Sequence, residues 1–166
     1  MKKIISIVTP CFNEEDNVEE LCNRIAKVMN ELPYDYEHIF IDNASTDATV
    51  ARIKKIASDD KRVKLIVNVR NFGHIRSPYY ALLQANGDAC ISIASDLQDP
   101  PEKIPEFIAK WEEGYKTVLA VKNQSEESFI MFSIRKTYYR LISNMSEVPL
   151  VQNATGAGLF DKVIID

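Results

Sequence analysis

Short apolar runs alternate with longer stretches of helical periodicity along the whole chain. Residues 4–8 are β-branched apart from Ser6, and read as a strand buried on both faces. Residues 9–13 are its exit loop. Asn13 is then expected to cap a helix with Glu14, Glu15 and Asp16 in its first turn. Val18, Leu21, Cys22, Ile25, Val28, Met29 and Leu32 form the apolar stripe of that helix, and Pro33 ends it. Residues 37–42 predict a second strand, 43–47 a polar turn, and Val50, Ile53, Ile56 and Ala57 the face of a second helix. A third strand over 63–67 leads to a loop over 68–75. A helix with Pro78 near its start follows, running to about Asn86 with Gly87 as its stop.

The fourth predicted strand, 89–94, opens onto the polar segment Ser95 to Glu102. Ile104, Phe107, Ile108 and Trp111 give the next helical face, with Pro105 tolerable only in the first turn and Gly114 at the end. A fifth strand spans 117–121, and a long helical pattern spans 126–144. Gly156 and Gly158 mark the segment 153–160, and 160–165 is apolar again. This alternation predicts an α/β fold, a mostly parallel sheet flanked by helices.

Ligands bind such sheets at the carboxyl ends of the strands. Three strand ends carry polar clusters, at 10–14, 42–47 and 95–99, and they converge on one edge. Each cluster could serve only to cap the helix after it; three acidic strand ends together favour a site. Asp96 and Gln98 place two hard oxygen donors beside a helix start at Asp99-Pro100-Pro101-Glu102, a suitable place for a divalent cation and a phosphate. No G-x-G-x-x-G follows the first strand and no G-x-x-x-x-G-K-[ST] occurs, which excludes the usual dinucleotide and P-loop modes.

Composition narrows the classes further. The chain's 166 residues predict one domain with a sizeable core. A net charge of −4 argues against a nucleic-acid binder. Three unevenly spaced cysteines suggest reduced, buried thiols in a cytoplasmic protein, with Cys11 a small apolar filler. No apolar run approaches the length of a membrane span, and the first residues read as a strand, not a signal peptide.

The segments ISIVTPCFNEEDNV, IDNASTDAT, RNFGH and SDLQDPPE, in this order, resemble the family 2 glycosyltransferases with the GT-A fold. The resemblance covers nearly the whole chain. Its nearest group is the enzymes similar to polyprenyl- and dolichol-phosphate sugar transferases and bacterial O-antigen-modifying members. It implies an inverting transfer from a nucleotide sugar, most simply a uridine diphosphate sugar, in cell-envelope glycan synthesis. Pro10, Phe12, Asn13 and Glu14 fall where the family holds base and ribose, and Asp42 also matches a nucleoside contact. Ser95 and Asp96 fall at the diphosphate, and Asp96 with Gln98 would bind Mg²⁺ or Mn²⁺. Arg70, His74, Arg76 and Arg135 are candidates for the diphosphate and acceptor side; His74 reads equally as a loop hydrogen-bond partner.

Departures accompany the match. Ala94-Ser95-Asp96 stands where the family has D-A-D, Asn43 and Ala44 replace its Asp and Gly, and Gly156 stands at an acceptor-side Asp. No general base is identified, and Asp161 reads as a helix cap. A lipid phosphate, already an anion, needs no base, whereas a glycan acceptor would. Arg135, Lys136 and Arg140 beside Tyr138 and Tyr139 either meet an anionic head group or form a solvated basic face. The same departures leave open a catalytically silent nucleotide-binding module. A sugar-nucleotide synthesising transferase would need a Gly-rich basic loop where 10–14 is acidic and Gly-free. Relatives with lipid acceptors continue into further domain and membrane helices, so a C-terminally truncated chain is expected, acting at the inner face of the membrane.

Overall fold

The computed structural model describes residues 2–121 and 154–165. They form β1 (Ile4–Cys11), α1 (Val18–Asn30), β2 (Asp35–Asp42), α2 (Thr49–Asp59), β3 (Val63–Val67), α3 (Gly73–Leu82), β4 (Ala89–Ser92), a 3₁₀ turn (Pro101–Lys103), α4 (Ile104–Glu112), β5 (Thr117–Val121), β6 (Ala154–Asp161) and α5 (Lys162–Ile165). The chain divides into two compact units, Met1–Leu119 with Gly156–Asp166, and Ala120–Thr155. The cleft and packing described below belong to the first. The pattern expected over 126–144, with Arg135, Lys136 and Arg140, lies outside the described residues.

The sheet runs β3-β2-β1-β4-β6-β5. Helical crossovers return each of the first four strands in the same direction. β1 therefore pairs in parallel with β2, from Ile4↔Asp35 to Cys11↔Asp42, and with β4, from Ile5↔Ala89 to Val8↔Ser92. β6 is antiparallel to β4, so the sheet is mostly parallel as expected. Ile5, Ile7, Val8, Phe40 and Ile41 are fully buried in its centre, and α1 covers it with Val18, Leu21, Ile25 and Met29.

β1 is longer than the apolar run predicts. Thr9, Pro10 and Cys11 still pair with β2. Pro10 is tolerated because its nitrogen lies on the β4 side, where β4 has already ended at Ser92. β4 stops two residues earlier than expected. α1 starts at Val18, not after Asn13, and ends at Asn30, before Leu32. Pro105 does sit in the first turn of α4, and Gly114, at φ +103°, does end it, its N–H reaching the Trp111 carbonyl at 2.9 Å. α3 begins earlier than expected. Gly73, at φ +84°, opens it, so Pro78 lies inside the helix and deprives the His74 carbonyl of its helical donor.

Gly87 is not the stop of that helix, which ends at Leu82. A Cβ at Gly87 would lie 2.7 Å from the Ser6 nitrogen and 2.8 Å from the Ile4 carbonyl. The glycine lets the chain cross the backbone of β1, where its N–H donates to Ser6 Oγ at 2.9 Å. Nearby, His38 is fully buried against Phe40, with ring centroids 4.1 Å apart. Its Nε2 lies 2.9 Å from Thr9 Oγ1 and its Nδ1 has no partner. Burial pushes its pKa down to about 3, so the ring is neutral in the fold.

Candidate functional site

The register that pairs Cys11 with Asp42 brings the exits of β1 and β2 level, and Ser95 ties the exit of β4 to them by donating to the Pro10 carbonyl at 3.0 Å. A cleft of about 400 Å³ opens there. Pro10, Phe12, Glu14, His74, Ser95 and Asp96 line it, so the structure gathers six of the predicted site residues. Others stand back. Asp42 is fully buried behind the wall, with Oδ2 accepting the Ser45 N–H at 3.0 Å. Gln98 is exposed beyond the lining, and its N–H donates to Asp96 Oδ1 at 3.1 Å. Arg70 lies over the Phe72 ring at 4.9 Å, and Arg76 lines a neighbouring groove. Arg135 is outside the described residues. Glu102, at the end of the polar segment, is structural: it accepts from Arg24 of α1 at 2.6 and 2.9 Å.

Two exit loops build one wall by exchanging hydrogen bonds. Asn13 does not cap α1, because its groups are used here. Its N–H donates to Ser45 Oγ and its Oδ1 accepts from the Thr46 N–H, each at 2.8 Å. The Glu14 N–H donates to Thr49 Oγ1 at 2.8 Å and the Glu15 N–H to Asp47 Oδ2 at 3.2 Å. Glu15 answers by accepting from the Ala48 N–H at 2.8 Å. Among the described residues, the non-glycine residues with left-handed backbone are Asn13 (φ +57°), Ala44 (φ +66°) and Leu97 (φ +60°). One sits at the exit of each of β1, β2 and β4. Such strain costs roughly 1–2 kcal/mol per residue and persists where surrounding contacts hold it, often at functional sites.

Asn43 joins the opposite wall to the sheet. Its Oδ1 accepts from the Phe72 N–H at 2.8 Å and from Asn68 Nδ2 at 3.2 Å. Its Nδ2 donates to Asn71 Oδ1 at 2.8 Å and approaches the Gly73 carbonyl at 3.4 Å. Asn71 Oδ1 also accepts the Gly73 N–H at 2.8 Å. The two backbone N–H groups can only donate, so they fix which end of each amide is oxygen. Asn43 must be an amide, since a carboxylate cannot donate to Asn71. Sequence reasoning noted Asn43 only as a departure and passed over Ser77, which also lines the cleft. The signal was the run of asparagines at 43, 68 and 71.

Among the described residues no group of three or more His, Cys, Asp or Glu side chains is placed to hold a metal. Asp96 instead offers one carboxylate at the rim, which fits an ion shared with a ligand's phosphates and water, as Mg²⁺-type ions are commonly held. Cys11 is inert: burial first, then Asp42 and Glu14, push its thiol far up. Asp161 caps α5 by accepting the Val163 N–H at 3.0 Å, and Lys116 and Trp111 hold its carboxyl down at about 2. No helix of the described residues is long and apolar enough to cross a membrane.

Residues 6–162 match the profile of the family described as Glycosyl transferase family 2. The chain is 36% identical over 162 residues to the uncharacterized glycosyltransferase YkcC of Bacillus subtilis, covering 97% of this chain and 50% of that protein. It is 33% identical over 158 residues to the undecaprenyl-phosphate 4-deoxy-4-formamido-L-arabinose transferase of Proteus mirabilis, covering 95% and 46%. The structure of glucosyl-3-phosphoglycerate synthase from Mycobacterium tuberculosis, in complex with Mn²⁺, uridine diphosphate and phosphoglyceric acid, superimposes with a TM-score of 0.68 at 24% identity, covering 98% of this chain and 57% of that one. The chain thus spans about half the length of the curated relatives it matches. It belongs to glycosyltransferase family 2 and has the GT-A fold.

Proposed function

We propose that this chain carries the donor-binding part of an inverting glycosyltransferase that moves a sugar from a uridine diphosphate sugar to a polyprenyl phosphate at the inner face of a membrane, in cell-envelope glycan synthesis. The observation that carries this reading is the cleft itself, in which apolar Pro10 and Phe12 and the carboxylate of Glu14 face His74, Ser95 and Asp96. Pro10 and Phe12 offer a flat apolar bed for a base, and Glu14 an acceptor for base or ribose. Asp42, from behind, holds the Ser45 turn in place. Ser95 and Asp96 take the diphosphate end, with Gln98 beside them and His74 a donor from the opposite wall. Asp96 is the carboxylate that would hold Mg²⁺ or Mn²⁺, which would neutralise charge building on the leaving diphosphate. An anionic acceptor phosphate attacks without a base, in keeping with Gly156 at the acceptor-side position.

Uridine diphosphate is expected to raise the melting temperature of the chain more with Mn²⁺ than with a chelator, and Asp96→Ala to abolish that difference. An identical shift with and without metal would reject the role given to Asp96. Ala94, where the family carries a carboxylate, favours a second reading, a silent binding module; release of uridine diphosphate from its sugar conjugates would exclude it.

A further inference from the structure

Helix α3 is turned the wrong way round for a helix packed on a sheet. An amphipathic helix normally buries its large apolar side chains. This one buries Ser77 and Ala81, and leaves Ile75 72% and Tyr79 61% exposed, with Tyr80 and Leu83 beside them. The neighbouring edge strand and its loop add Val67, Phe72 and Val69, the last 93% exposed. Val67, Val69, Phe72, Arg76 and Tyr80 line a single open groove of about 450 Å³, and the exposed Ile75 and Tyr79 directly precede Arg76 and Tyr80 on the same helix. Seven of the thirteen large exposed apolar side chains among the described residues lie between positions 67 and 83. Such clustering marks a docking surface.

The charge of this region says what docks. Residues 61–87 contain Lys61, Arg62, Lys64, Arg70 and Arg76 and no Asp or Glu, in a chain whose net charge is −4. Arg62 is paired with Asp60 and Lys64 with Glu37. Arg70 and Arg76, the two arginines within the apolar patch, are in no ion pair among the described residues. Exposed Tyr, Phe and aliphatic side chains interleaved with arginines in no ion pair, in a stretch of chain that carries no carboxylate of its own, match the head-group region of an anionic bilayer. We infer that the outer face of α3, with the β3 edge, docks on an anionic lipid surface.

The inner side of the same helix brings Gly73, His74 and Ser77 to the cleft. Docking by the outer face therefore holds the cleft beside the membrane, where a lipid-phosphate acceptor would lie. That consequence rests on the acceptor reading above; the docking does not. The test is co-sedimentation of the 166-residue chain with vesicles of phosphatidylcholine alone and of equal parts phosphatidylcholine and phosphatidylglycerol. Binding is expected to the anionic vesicles only, weakening as salt is raised. Arg70→Gln with Arg76→Gln is expected to lower partitioning about 25-fold, roughly fivefold per arginine at ~1 kcal/mol each. Ile75→Ser with Tyr79→Ser is expected to lower it too, while leaving the uridine diphosphate thermal shift unchanged. No binding to anionic vesicles, or binding that neither double variant weakens, overturns the inference. So does a dimer in light scattering that Ile75→Ser with Tyr79→Ser dissolves while vesicle binding is absent, which would assign the face to a second copy. Loss of the nucleotide shift with vesicle binding intact counts against the donor reading alone, and the reverse against this one alone.

Discussion

Asn43→Asp restores the residue type usual in the family and is nonetheless expected to harm this protein. The substitution keeps the oxygen that accepts from the Phe72 N–H and replaces the Nδ2 donor with a second oxygen. That oxygen would face Asn71 Oδ1, 2.8 Å away, and the Gly73 carbonyl. Asn71 cannot turn its amide to compensate without dropping the Gly73 N–H. Losing the donated bond costs about 1 kcal/mol, and holding an anion against two acceptor oxygens in a nearly buried place costs a further ~1–3 kcal/mol. A loss of about 2–4 kcal/mol in unfolding free energy is expected at neutral pH and above. A proton on the new carboxyl restores a donor. The strain therefore raises its pKa in the fold above the ordinary carboxylate range. A group charged at neutral pH and destabilising in that form does its damage above its folded pKa. The gap between variant and parent should then narrow as pH falls toward about 4, the ordinary value of an Asp carboxyl, with contributions common to both proteins cancelling. Urea unfolding of both at the two pH values measures this, and amide exchange at Phe72 and Gly73 reports the loop directly. Equal stability of variant and parent at high pH, with unchanged exchange at those two amides, would refute the assignment of Asn43 as the holder of that wall.

Other outcomes follow from single features. His38 ordinarily titrates near 6.5 but stays neutral in the fold down to about 3. The unfolded chain thus binds the extra proton first, stability falls as pH drops below 6.5, and His38→Gln should flatten that part of a stability–pH curve. Ala44→Gly relieves a left-handed alanine; against a strain of roughly 1–2 kcal/mol, glycine's added freedom when unfolded takes back about 0.5–1, so thermal or urea unfolding should show a gain of about 0.5–1 kcal/mol. Gly87→Ala drives a methyl into the backbone of β1, and a loss of at least ~1–3 kcal/mol is expected in urea unfolding.

The fold was legible where the determinants are local. Short apolar runs mark the centres of β1 to β3, and Pro105 and Gly114 bracket α4 through turns of their own backbone. Legibility failed where a residue's partners are distant in sequence. Asn13 looks like a helix cap because capping is its common local use, yet its groups bind Ser45 and Thr46, 32 and 33 residues on. Gly87 looks like a helix stop, yet its reason is the strand 81 residues earlier. The cleft was legible as a convergence of strand ends, which topology dictates. Which side chains face it was not. Asp42 and Asp96 are alike as letters, and one is buried behind a wall while the other stands at the rim. The outward apolar face of α3 was hidden too, because periodicity shows a stripe but not the direction in which it points.

The exchange between the two exit loops has a consequence for anions. A turn with successive backbone N–H groups free and pointing the same way forms a nest that cradles phosphate without any cation. Here the N–H groups of Asn13, Glu14 and Glu15 are all donated to side chains of the β2 exit loop and the first residue of α2, namely Ser45, Asp47 and Thr49. The turn is stiff because its donors are occupied, and for the same reason it is closed to phosphate. Among the described residues, a diphosphate entering this cleft meets two carboxylates, an imidazole, hydroxyls and amides and no Lys or Arg, which is the setting in which the divalent ion proposed at Asp96 would matter.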